Sequence, residues 1–183
     1  MKKVLLYLLS SILFIGYIVI LVLSMKPNVS WEYELYYITK EIDIWPGLHG
    51  FNYELGTKIE TVLENEDNCK RFEKGWGPFE RNGLWSDGLE SKIYFNNLPN
   101  KNLIFEMTLV NLDIDKWIDI YLNDIKVSRI QKSELKSSMK INQQIKLQDI
   151  KNGKLIITLK YDSDEENSSG RIMCREIILY EEQ

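Results

Sequence analysis

The stretch Val4–Ser24, VLLYLLSSILFIGYIVILVLS, holds 21 residues without one charge. As a helix rising 1.5 Å per residue it spans about 31 Å, enough to cross a hydrocarbon core of about 30 Å. A secretory signal peptide is the competing reading. Its apolar region is usually shorter and closes on small residues, whereas this run ends in Val22-Leu23-Ser24, a poor cleavage site. No Cys follows to carry a lipid. Residues 1–24 therefore read as an uncleaved single-pass anchor. Lys2, Lys3 and the amino terminus stay in the cytoplasm, weakly opposed by Lys26, and the rest of the chain is expected to be extracytoplasmic.

The charge beyond the anchor limits the partners. After residue 24 the chain carries 21 basic and 27 acidic side chains, a net charge of −6. Nucleic acid is excluded as a partner, because phosphate binding needs a basic face. The 183 residues suffice for one domain with its own core besides the membrane element. Residues 25–52 form a juxtamembrane segment in which Trp31, Tyr33, Tyr36, Tyr37 and Trp45 suit the headgroup level of a bilayer. The other reading is that some of these rings pack on the domain that follows. A short helix is expected from Trp31 to Glu41, stopping before Trp45-Pro46-Gly47.

From Tyr53 the pattern turns to β, and 53–183 reads as one extracytoplasmic domain. Leu55, Thr57, Ile59 and Thr61 alternate with more polar neighbours. Leu103, Phe105, Met107 and Leu109 share one face of a strand, and Ile118, Ile120 and Leu122 oppose Trp117, Asp119 and Tyr121. Asn123-Asp124 supplies a tight turn into Ile125-Lys126-Val127. Further strands are expected over Met139–Leu147, Leu155–Tyr161 and Arg171–Tyr180, and a helical turn within Gln131–Ser138. Many short strands separated by turns predict an all-β, jelly-roll-like antiparallel β-sandwich.

Gly75–Gly88, GWGPFERNGLWSDG, is the stretch with most chemistry. Its glycine and proline density forbids a long regular element and predicts an ordered loop or two short strands joined by a turn. Trp76, Phe79 and Trp85 offer rings to the C–H faces of a sugar, and Glu80, Arg81, Asn82 and Asp87 offer partners to its hydroxyls. The plainer reading buries Trp76 and Trp85 beneath the loop and turns the carboxylates onto its backbone. Glu80 and Asp87 form a carboxylate pair of the type glycosidases use, but nothing sets them apart from other acidic pairs. Ser86 has no histidine within motif reach, and His49 is the only histidine in the chain. No catalytic residue, cofactor or metal site is assigned. The run Asp162–Asn167 is rich in calcium-type oxygens without the spacing of an EF-hand loop, and reads as a solvated loop. Cys69 and Cys174 lie in the exported part, where an oxidising compartment permits a bridge. Two independent buried thiols remain the alternative.

The order of elements resembles a β-sandwich domain of unknown function attached to bacterial envelope-glycan enzymes, among them phosphoglycerol-transferase-like and glycosyltransferase-like membrane proteins. Tyr53, Leu55, Gly56 and Ile59 match the opening strand of that domain. Gly75, Trp76, Glu80, Gly83, Trp85, Ser86, Asp87 and Gly88 match its tryptophan loop, and Leu98-Pro99 a later turn. The similarity covers about residues 53 to 181. Asn82 replaces a second Trp of the pattern and Leu84 an Arg, so ligand contacts at those two positions are not carried over. The resemblance implies a non-catalytic module at the cell envelope, binding glycan or assisting a membrane enzyme of polysaccharide biosynthesis. A tethered protein–protein interaction module without glycan binding is the alternative.

Overall fold

A computed structural model describes residues 2–25, 28–62, 70–72, 74–110, 117–134, 137–162 and 172–182. The chain divides into two compact units, Met1–Trp31 and Glu32–Gln183.

The first unit is built on helix α1, Lys2–Ser24. The side chains from Lys3 to Ser24 are exposed. Ser11 and Ser24 turn their hydroxyls back onto the carbonyls of Tyr7 and Leu21, at 2.9 and 2.7 Å, so neither presents a free polar group. A helix apolar on every side needs a surrounding less polar than water. By length and composition α1 is able to cross a membrane, a test that signal sequences also pass.

A helical turn follows, made of α2, Trp31–Tyr33, and a π-helical continuation, Glu34–Ile38; all of it but Trp31 belongs to the second unit. Among the described residues ten strands follow: β1 Ile59–Glu60, β2 Trp76–Glu80, β3 Gly83–Ser86, β4 Glu90–Phe95, β5 Leu103–Val110, β6 Trp117–Leu122, β7 Ile125–Gln131, β8 Ser138–Ile145, β9 Leu155–Tyr161 and β10 Met173–Glu181. One sheet runs β2-β3-β10-β5-β8, with β1 also on β10, and the other runs β4-β9-β6-β7. The ladders between these strands are antiparallel. Setting aside β1 and β2, the eight strands from β3 to β10 appear as first, eighth, third, sixth in one sheet. In the other they appear as second, seventh, fourth, fifth. That interleaving is the double Greek key of a jelly roll.

Period-two burial places the core between the sheets. Leu103, Phe105, Met107 and Leu109 of β5 are buried, and their alternate neighbours are half-buried. They meet Ile118, Ile120 and Leu122 of β6 and Ile157 and Leu159 of β9 in one cluster. Each such side chain contributes about 1.5–3 kcal/mol relative to leaving it in water. At the β6–β7 turn both central residues take positive φ, Asn123 at 44° and Asp124 at 71°, as a two-residue hairpin of right-handed twist requires. Asn123 also donates to Asp149 O at 2.7 Å and accepts from Ile156 N at 2.8 Å, fixing the turn to β9.

One local expectation changes. The alternating run from Leu55 to Thr61 yields only the two-residue β1, because Gly56 turns at φ 81° and donates its N–H to Leu179 O at 2.7 Å. Tyr53 fixes the same corner, its hydroxyl accepting from Leu179 N at 2.9 Å. Leu35, Ile42 and Phe51 are buried, and the Phe51 ring stacks on Tyr94 at 5.1 Å. The expected helical turn near Gln131 is a short 3-10 element, Lys132–Glu134.

Candidate functional site

Strands β2 and β3 pair across Glu80↔Gly83, leaving Arg81 and Asn82 as an exposed two-residue turn at the edge of the larger sheet. The Gly75–Gly88 stretch is thus two strands and a turn. Glycine is required at both ends of it. Gly75 sits at φ 75°, and a Cβ there would collide with the Glu90 carbonyl oxygen; at Gly83, φ 143°, a Cβ would lie 2.5 Å from Cys174 O. The base is closed by Asp87 N donating to Gly75 O at 2.7 Å and by the Ser91 hydroxyl bonding the same oxygen. Buried Ser86 joins the hairpin to the chain entering β10: its N–H reaches Ile172 O at 2.8 Å, and its Oγ accepts from Ile172 N at 3.1 Å.

The aromatic residues of the hairpin separate into two kinds. Trp76 is 8% exposed, meets Phe72 edge-on at 5.5 Å, and donates Nε1–H to Lys92 O at 2.8 Å. Its ring has no open face for a sugar. Of the two readings weighed for Trp76, the burial and the hydrogen bond fit the plainer one, in which it braces the hairpin against β4. Phe79 is half-buried on the core, 6.3 Å from Phe72. Trp85 is half-exposed, and its Nε1–H donates to Glu80 Oε2 at 3.3 Å. Glu80, Arg81, Asn82 and Asp87 are all exposed. The geometry brings together Trp85, Glu80 and the Arg81-Asn82 turn.

A second aromatic surface lies on the outer face of the smaller sheet, which the sequence had marked only as the polar side of β6. Asp119 is almost fully buried and takes a two-pronged hydrogen bond from Arg129, at 2.6 and 2.7 Å, with Lys126 at 2.7 Å. Arg129 lies over the Trp117 ring at 4.0 Å from its centroid, and Lys160 over Tyr121 at 5.2 Å. The Arg129 hydrogen bond, helped by Lys126 and opposed by burial, holds the Asp119 carboxyl below its ordinary value. The sequence signal was the two-residue turn at Asn123-Asp124, which sets Tyr121 opposite Lys126; a bulge beyond it brings Arg129 opposite Asp119.

Two other features carry less chemistry. His49 lies in an open depression with Pro46, Asn52, Lys70 and Arg71, its Nδ1 3.3 Å from Asn52 Nδ2. Among the described residues no group of three or more His, Cys, Asp or Glu is placed to hold a metal ion. Beyond Asp162, the run Asp162–Asn167 lies outside the described residues, as does Cys69. The proposed Cys69–Cys174 bridge therefore lies there too, while Cys174 is buried in β10.

No family model matches the chain, and no curated protein does. Among solved structures it is similar to a family 35 carbohydrate binding module from Clostridium thermocellum, at 6% identity and TM-score 0.43, over 69% of this chain and 100% of that one. It is also similar to the CBM36-1 domain of a multidomain xylanase from the hindgut metagenome of Trinervitermes trinervoides. There the identity is 14% and the TM-score 0.41, over 66% of this chain and 94% of that one. A third match is BtGH115A, a 4-O-methyl-alpha-glucuronidase with specificity for decorated arabinogalactans, at 11% identity and TM-score 0.44. It covers 73% of this chain but only 18% of the enzyme. The class, a jelly-roll β-sandwich, rests on the strand order of the chain itself.

Proposed function

We propose that this chain is a membrane-anchored, non-catalytic module that binds glycan at the cell envelope through the outer side of its β2–β3 hairpin. The observation that carries the reading is the pairing of Trp85 with Glu80. A half-exposed indole is held beside a carboxylate at 3.3 Å, next to the exposed Arg81-Asn82 turn, on strands fixed by glycine and by buried Ser86. Sugars are recognised by rigid aromatic faces that cover C–H surface and by polar groups at the ring edge that meet hydroxyls. Trp is suited to the first task because it offers large area with few rotors to freeze.

The helix α1, uncharged from Val4 to Ser24, supports anchoring, and Lys2 and Lys3 support an extracytoplasmic domain. The tryptophan-loop resemblance supports a place beside a membrane enzyme that builds an envelope polysaccharide. The test is a glycan array probed with the full chain in detergent, alongside Trp85→Ala and Trp117→Ala. Binding that Trp85→Ala abolishes and Trp117→Ala keeps supports the reading. Absence of any glycan signal from the folded protein, with a membrane protein captured by cross-linking, replaces it with the protein-interaction module.

A further inference from the structure

The residues just beyond the anchor carry an exposed surface that the hairpin does not explain. Within Glu32–Gln183, the stretch from Tyr33 to Leu48 is two-sided. Glu32, Leu35, Ile42 and Pro46 face inward and are buried. On the other side Tyr33 is 40% exposed, Tyr37 53%, Ile38 50%, Ile44 67% and Leu48 63%. Four rings of this stretch form one cluster: Tyr37 lies 4.6 Å from both Tyr33 and Tyr36, and Trp45 lies 5.8 Å from Tyr36 and 5.7 Å from Tyr37. Contiguous apolar surface of this kind on a folded domain marks a place where something binds.

The length of the tether says what. Eight residues separate Ser24, the last residue of α1, from Tyr33. Fully extended, that much chain reaches about 30 Å, so the patch cannot leave the neighbourhood of the headgroups by more than roughly one domain diameter. Tyrosine and tryptophan are the side chains that settle at the membrane–water boundary, with the ring among acyl carbons and the polar atom among headgroups. The charged residues within this stretch of sequence, Glu34, Lys40 and Asp43, are exposed. Their balance is negative, so the attraction is apolar and not electrostatic.

We infer that the Tyr33–Leu48 surface is a second membrane contact, an interfacial patch that seats the sandwich on the lipid surface from which α1 emerges. The inference rests on α1 crossing the membrane and is independent of glycan binding.

The test places a photo-crosslinking amino acid in the full chain, reconstituted in phosphatidylcholine vesicles carrying labelled lipid. The variants are Tyr37→benzoylphenylalanine and Ile44→benzoylphenylalanine, with Leu13 in α1 as the membrane reference. Ile125, 55% exposed beside the β6–β7 turn, is the remote reference. Lipid adducts are expected from positions 37, 44 and 13 and none from 125, with no gain when anionic lipid is added. Adducts from 13 without any from 37 and 44, or adducts from 37 and 44 to a second protein chain, overturn the seating and leave the anchor standing. If position 13 also fails to label lipid, the anchor and the seating fall together.

Discussion

The β2–β3 and β6–β7 hairpins are built on the same plan and have spent their side chains differently. Each turns on two residues, and each carries one tryptophan on the outer side of its sheet. On β6–β7 the polar groups near Trp117 are committed to one another: Arg129 and Lys126 close on Asp119, and the guanidinium covers the indole. On β2–β3 the corresponding ring, Trp85, has one polar partner in Glu80, and the turn residues Arg81 and Asn82 face solvent. A self-satisfied cluster fixes a strand pair. A ring beside exposed polar groups leaves room for a ligand. Within β2–β3 the contrast repeats, since Trp76 is committed to the interior and Trp85 is not.

Substitutions sharpen this contrast in order of size. Trp76→Ala removes a buried ring and its hydrogen bond, and is expected to cost about 3–5 kcal/mol in chemical denaturation, enough to unfold the hairpin and much of the domain. A cost under about 1 kcal/mol would mean that Trp76 is not the brace described. Asp119→Ala strips two cations of their acceptor and is expected to cost about 2 kcal/mol at neutral pH. Because the folded carboxyl is held below its ordinary value of 3.8, its contribution is complete above that pH and fades as pH falls through the lower folded value. Denaturation at neutral and at acid pH should therefore show wild type and Asp119→Ala converging at the acid end. Equal separation at both would show that the carboxylate does not stabilise β6–β7. Trp76→Phe keeps the packing and loses the Nε1–H bond to Lys92 O, an expected loss of about 1 kcal/mol. Trp85→Ala is expected to be the smallest in stability, within about 1 kcal/mol in the same denaturation, while on the proposed reading it has the largest effect on a glycan array.

The strands were legible wherever burial follows period two, as in Leu103–Leu109 and Leu155–Tyr161, because each pattern is local. The Asn123-Asp124 turn was legible for the same reason: its positive φ values demand those residue types. Strand order was less so, since pairing β10 with both β3 and β5 joins residues about ninety and seventy positions apart in sequence. The two tryptophans of the Gly75–Gly88 stretch could not be told apart because the register shifts between Trp76 and Phe79, and a bulge cancels the period-two rule that assigns side chains to faces. A second shift, between Ile120 and Tyr121, hid the Asp119–Arg129 pair in the same way. Gly56 ended the first expected strand early by turning where alternation alone would continue.

The most direct test of the central claim follows the five tryptophan indole N–H signals of the detergent-solubilised chain by NMR while the strongest candidate from the glycan array is added. The expected result is that the Trp85 signal moves with ligand concentration while those of Trp76 and Trp117 stay in place. Movement of the Trp76 or Trp117 signal with Trp85 unchanged would contradict the assignment of the sugar-facing side.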